Sequence, residues 1–154
     1  MDQEKLDPIL ELMVEFAQSR NDILALALCG SCARGEAGLE SDIDLSIIVK
    51  DKLKFKSTEW IEELLFSKIQ ESVKSFRDEV YGVTWSRHVL LKSGIEIEFG
   101  FANTSWADSD NLDDGTKKVV SDGYKILYDH QQILKNLIEK VDSIQPHFYK
   151  YSLE

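Results

Sequence analysis

The stretch Ile23-Leu24-Ala25-Leu26-Ala27-Leu28 contains no polar residue and is closed by Cys29-Gly30. It constrains the fold more than any other segment. Bounded by Asn21-Asp22 on one side and Gly30 on the other, it is too short for a helix and reads as a strand buried on both faces. Before it, Leu6, Ile9, Leu10, Met13, Val14 and Ala17 recur at helical spacing. Asp7-Pro8 supplies an N-cap and a proline for the first helical position, so the spacing predicts a helix over 7–20. After it, Ser41 to Val49 alternates, with Ile43, Leu45 and Ile47 on one face and Asp42, Asp44 and Ser46 on the other.

Further along, Ile61, Leu64, Leu65, Ile69, Val73 and Phe76 predict a second, longer amphipathic helix from Ser57 to Phe76. Val80 to Leu91 and Ile95 to Phe101, joined by Lys92-Ser93-Gly94, read as a β-hairpin. In its second arm Ile95, Ile97 and Phe99 face one way and Glu96 and Glu98 the other. Asp122-Gly123 is a turn before a short strand, Tyr124 to Tyr128, and a last helix is expected over 131–142 from Ile133, Leu134, Leu137, Ile138 and Val141. The order helix, strand, strand, helix, hairpin, strand, helix predicts an α+β fold, a mixed or antiparallel β-sheet flanked by helices. A single domain is expected over 1–154, with its core at about 21–129.

Composition narrows the function. With 43% hydrophobic and 30% charged residues the chain reads as globular, and a length of 154 residues suits one domain. A net charge of -10 argues against a polynucleotide partner, because such binding draws on Lys and Arg to neutralise phosphates. A free nucleotide held through metal ions escapes that objection. No apolar run is long enough to cross a bilayer and the first residues, MDQEKLDPIL, do not resemble a secretion signal, so no membrane partner and a cytoplasmic location are expected. Cys29 and Cys32 lack a second Cys pair or His cluster, and burial is the plainer reading for both.

Gly30-Ser31 at the end of the first strand places backbone N–H groups and a hydroxyl where phosphate oxygens are often held, although glycine also follows strands for steric reasons alone. Asp42 and Asp44 sharpen the reading. Neighbouring carboxylates on one strand face repel, and a divalent cation is the natural compensation. Oxygen-only ligands suit Mg²⁺, which fills its shell with waters and substrate phosphates. The hairpin arm adds Glu96 and Glu98.

Gly30-Ser31-Cys32-Ala33-Arg34-Gly35 followed by Ser41-Asp42-Ile43-Asp44-Leu45 resembles the signature of the DNA polymerase beta-like nucleotidyltransferase superfamily, especially its minimal domains and the catalytic halves of antibiotic adenylyltransferases. The resemblance implies a Mg²⁺-dependent transfer of a nucleoside monophosphate, AMP from ATP, to a hydroxyl of a small molecule or protein. It implies that Gly30 and Ser31 hold the triphosphate and that Asp42 and Asp44 ligate two metal ions, with Mn²⁺ able to replace Mg²⁺. The third family carboxylate corresponds to Glu98, with Glu96 as the alternative. Arg34 pairs with phosphate or is a surface charge. The acceptor site would be completed by a second copy in a homodimer or by a partner protein. The competing reading is a non-catalytic, antitoxin-like domain acting as a protein partner. Arg87 and His88 read as structural, Trp85 and Trp106 as core rather than stacking residues, and Trp106 with Asp108 as acceptor-site candidates. Lys117 and Lys118 read as solvated.

Overall fold

The computed structural model describes residues 3–34, 42–81, 84–104, 124–130, 132–144 and 151–152. Its elements are α1 (Gln3–Ser19), β1 (Ile23–Cys29), α2 (Gly30–Arg34), β2 (Ile43–Val49), a 3₁₀ turn (Lys52–Lys56), α3 (Glu59–Glu63), a second 3₁₀ turn (Phe66–Ile69), β3 (Val73–Tyr81), β4 (Thr84–Leu91), β5 (Glu96–Asn103), β6 (Tyr124–Asp129), α4 (Ile133–Ile144) and β7 (Tyr151–Ser152). The strands form one mixed sheet in the order β3-β4-β5-β2-β1-β6-β7. Pairing is antiparallel except for β2 with β5 and β6 with β7, which are parallel.

β1 lies inside this sheet with every residue buried, as an all-apolar strand must. On one face, α1 and the segment around Phe55, Trp60 and Phe66 cover Leu26, Leu28, Ile43, Leu45, Phe99 and Phe101. On the other, Leu134, Leu137 and Ile138 of α4 close over Ala25, Ala27, Ile48 and Ala102. Asp129 starts α4 by accepting from the N–H groups of Leu134 and Lys135 at 3.2 and 3.0 Å. The observed helix runs two residues later than 131–142.

The first helix begins earlier than the expected 7–20. Pro8 lies inside α1, and Asp7 accepts from the Gln3 side chain instead of capping the backbone. The added turn carries Leu6, whose burial outweighs the single backbone bond that Pro8 cannot donate.

The long helix expected from Ser57 to Phe76 does not form. Only Glu59–Glu63 is α-helical, and Leu65 (φ 53°) and Gln70 (φ 60°) turn the chain left-handed. From Val73 onward the chain is an edge strand paired with β4, Phe76 opposite Val89 and Val80 opposite Trp85. The expected arm Val80–Leu91 is therefore shared between two strands, since Tyr81 of β3 already pairs with Thr84 of β4. Arg87, 1% exposed, locks this arrangement. Its guanidinium donates twice to Asp78 of β3, at 2.8 and 3.0 Å, and to the carbonyls of Ser57 and Lys56 at 2.7 and 2.9 Å. It also lies against the rings of Trp60, Phe76 and Trp85. One buried cation thus ties the loop before α3 to the first hairpin.

Candidate active site

Parallel pairing of β2 with β5 sets Ile43 opposite Ile97 and Asp44 opposite Glu98. Partners across a ladder point to the same side, so both carboxylates stand on the α4 face of the sheet. Asp44 is lifted from the usual carboxylate range to about 7. Desolvation is the largest cause, followed by a hydrogen bond with Glu98 and the charges of Glu98, Asp42 and Glu96. Asp42, just ahead of β2, interacts with Glu96, whose carboxyl is also raised, by desolvation first and then by the charge and hydrogen bonding of Asp42. The acids therefore stand as two facing pairs, Asp44 with Glu98 and Asp42 with Glu96. Among the described residues no three His, Cys, Asp or Glu side chains already converge as a finished ligand set. Like charges this close repel, and a cation between them would relieve that repulsion.

The antiparallel β1–β2 ladder brings Cys29 opposite Asp44, which delivers Gly30 to the same spot. Gly30 has φ +67°, and a Cβ there would lie 2.7 Å from Asp44 Oδ2. Glycine is required twice over, by the left-handed backbone and by the carboxylate packed against it. Cys29 and Cys32 are free and buried, as the plainer reading expected. Cys32 Sγ donates to the Asp42 carbonyl at 3.4 Å, and burial followed by the Asp44 and Glu98 charges pushes the Cys29 thiol far up. Beyond Asp44 on the same face, the Tyr124 hydroxyl donates to Ser46 Oγ at 3.0 Å, where the α4 cluster begins.

Arg87 and His88 are neighbours in the chain with opposite fates. Arg87 enters the core described above, while His88 pairs with Glu98 across β4–β5 and faces the acids. His88 Nε2 lies 3.6 Å from Glu98 Oε1 and 3.8 Å from Glu79 Oε1, and neither ring nitrogen has a hydrogen-bond partner. Arg77, opposite His88 on β3, contacts Glu79 and approaches Glu96 Oε1 to 3.9 Å. Arg77 and Glu79 fall between the helix expected to end at Phe76 and the arm expected to begin at Val80, and only the β3–β4 pairing carries them to the acids. Trp85 is core, stacked on Phe101 with its Nε1 donating to the Lys52 carbonyl at 3.0 Å. The side chains of Ser31 and Arg34, and residues Gly35, Ser41, Trp106, Asp108, Lys117, Lys118, Asp122 and Gly123, lie outside the described residues.

Residues 11–86 match the family described as Polymerase beta, Nucleotidyltransferase. This chain carries a nucleotidyltransferase domain of the polymerase beta type. The match takes in Gly30, Ser31, Asp42 and Asp44 and stops before β5. Among solved structures, an aminoglycoside 6-adenyltransferase from Bacillus subtilis aligns with a TM-score of 0.50 and 16% identity over 66% of this chain. This chain spans 36% of that enzyme's length. A toxin-antitoxin structure with AMP-PNP aligns with a TM-score of 0.47 and 15% identity, covering 90% of this chain and 87% of that one. A CCA-adding enzyme with CTP aligns at 0.46 and 17% identity over 95% of this chain and 37% of that one. At 16% identity the first likeness is one of fold alone. No curated protein matches the sequence of this nucleotidyltransferase domain. Among its described residues no helix is long and apolar enough to cross a membrane.

Proposed function

We propose that the domain transfers AMP from ATP to a hydroxyl of a small molecule or a protein, with Mg²⁺ as its cofactor. The observation that carries this reading is the meeting of Gly30, Asp44 and Glu98 at one place: a strand-end glycine with no room for a side chain, against a carboxylate raised to about 7 by burial and by its acidic neighbours. The donor set fits the metal, since it offers oxygen ligands alone and Mg²⁺ needs few of them. Asp42, Asp44 and Glu98 would hold it, Glu98 ahead of Glu96 because Glu98 is the one opposite Asp44. When bound, Mg²⁺ supplies charge for the phosphoryl oxygens and eases ionisation of the attacking hydroxyl.

The chain's own residues do the rest. Gly30 keeps the approach to Asp44 clear, and the family resemblance assigns the triphosphate to Gly30 and Ser31, with Arg34 as a counter-charge. Glu98 accepts the acceptor's proton at a carboxylate oxygen as the new bond to the α-phosphorus forms and pyrophosphate departs with the electrons of the broken bridge. The adenine preference draws on the adenyltransferase named among the similar structures. A second copy or a partner protein completes the acceptor site, and a cytoplasmic location suits a nucleotide substrate.

Melting curves with each nucleoside triphosphate, with and without Mg²⁺, test the reading, followed by transfer of label from the α-phosphate of ATP. A Mg²⁺-dependent rise with ATP, near 2.7 kcal/mol at about a hundred times its Kd, is expected in the intact chain and not in Asp42→Asn. A folded protein that responds to no nucleotide would refute the transferase reading.

A further inference from the structure

We propose that His88 is a positioning residue for the third carboxylate: its Nε2–H holds Glu98 in the orientation that takes a divalent cation. The inference rests on the function proposed above. The ladders place Arg77, His88, Glu98 and Asp44 in one lateral row, on β3, β4, β5 and β2 in turn. Because β5 lies between β4 and β2, Glu98 has His88 on one flank and Asp44 on the other. One carboxylate oxygen can serve the cation beside Asp44 while the second is held from behind.

His88 is suited to that task and otherwise unexplained. Its side chain is 9% exposed, and both ring nitrogens are buried without a hydrogen bond. A buried imidazole left unpaired is costly, and an apolar residue would fill this place on β4 at lower cost if packing were the only requirement. The polar groups that Nε2 approaches are Glu98 Oε1 at 3.6 Å and Glu79 Oε1 at 3.8 Å. A turn of the flexible Glu98 side chain of a few tenths of an ångström brings the first within hydrogen-bond length. Carboxylates that ligate metals are themselves held by hydrogen bonds, and losing such a partner typically weakens metal affinity by about 10–100-fold.

Mn²⁺ binding to the intact chain, followed by electron paramagnetic resonance with an ATP analogue that cannot be cleaved between its α and β phosphates, is the test. His88→Leu is expected to melt at or above the wild-type temperature in EDTA, yet to bind Mn²⁺ at least about tenfold more weakly. His88→Gln, which keeps an N–H donor, should stay within about threefold of wild type, and in a Glu98→Gln background His88→Leu should have no further effect. If His88→Leu does not fold, His88→Met provides the same comparison. Wild-type Mn²⁺ affinity in His88→Leu or His88→Met, or an equal loss in the Glu98→Gln background, would overturn the assignment. Absence of Mn²⁺ binding by the wild type would instead bring down the metal site and this inference with it.

Discussion

Replacing Asp44 by Asn should stabilise the metal-free protein at neutral pH while removing its response to Mg²⁺ and nucleotide. Folding raises the Asp44 carboxyl from 3.8 to about 7. At roughly 1.4 kcal/mol per pH unit, keeping this group ionised at pH 8 costs at most about 4 kcal/mol of folding stability. Asp44 is only partly buried, and solvent screening brings that to about 2 kcal/mol. The sign follows from proton binding: between pH 3.8 and about 7 the folded protein holds a proton that the unfolded chain has released, so stability falls as pH rises through that window. Above it the cost is constant. The amide introduced by Asp44→Asn carries no charge and can donate to Glu98, so the variant should melt about 4–8 °C higher than wild type in EDTA at pH 8. At pH 5 the advantage should shrink to under half, since the wild-type group is then protonated in the folded state. Adding Mg²⁺ and ATP should reverse the order, raising the wild type alone. Thermal melts at the two pH values in EDTA decide the matter. A variant less stable than wild type at pH 8, or an advantage equal at both pH values, would show that the paired carboxylates are not under strain.

Gly30→Ala should cost about 1–3 kcal/mol in urea unfolding and abolish nucleotide binding, because the backbone there is left-handed and the new Cβ meets Asp44 Oδ2 at 2.7 Å; a silent substitution would place Asp44 elsewhere. Arg87→Met should lose about 3–5 kcal/mol by leaving Asp78 and two carbonyls without their buried donor, measured by urea denaturation with the Mg²⁺ response intact in the folded fraction. Glu98→Gln should lower label transfer from ATP by about 100-fold or more, and Glu96→Gln by less than about tenfold, because Asp44 faces Glu98 across the ladder; the opposite ranking in a transfer assay would make Glu96 the third acid.

The acids were legible in the sequence because their signals are local. Period-two alternation in 42–49 and 95–101 places Asp42, Asp44, Glu96 and Glu98 opposite the apolar residues whatever the strands pair with. The unbroken apolar run of β1 likewise demands cover on both faces wherever it sits. Residues 57–76 carried no such unambiguous period. Ile61 and Leu64 enter the core from a single turn of helix, whereas Leu65 at 48% and Phe76 at 44% exposure are apolar residues left on the surface. Helical spacing there was a coincidence of two elements, and an edge strand, paired along one side only, has little alternation to reveal it. Arg87 and His88 were equally opaque, since their roles depend on which face of β4 meets Asp78 and which meets Glu98. The sequence by itself determined which residues are acidic, which are apolar and which face each takes along its own strand. Only the tertiary structure decided that β5 runs parallel beside β2, that Glu98 stands opposite Asp44, and that His88 closes the row behind it. Side-chain alternation is set by the backbone of one strand, whereas neighbour and register are set by the burial that all the strands and helices achieve together.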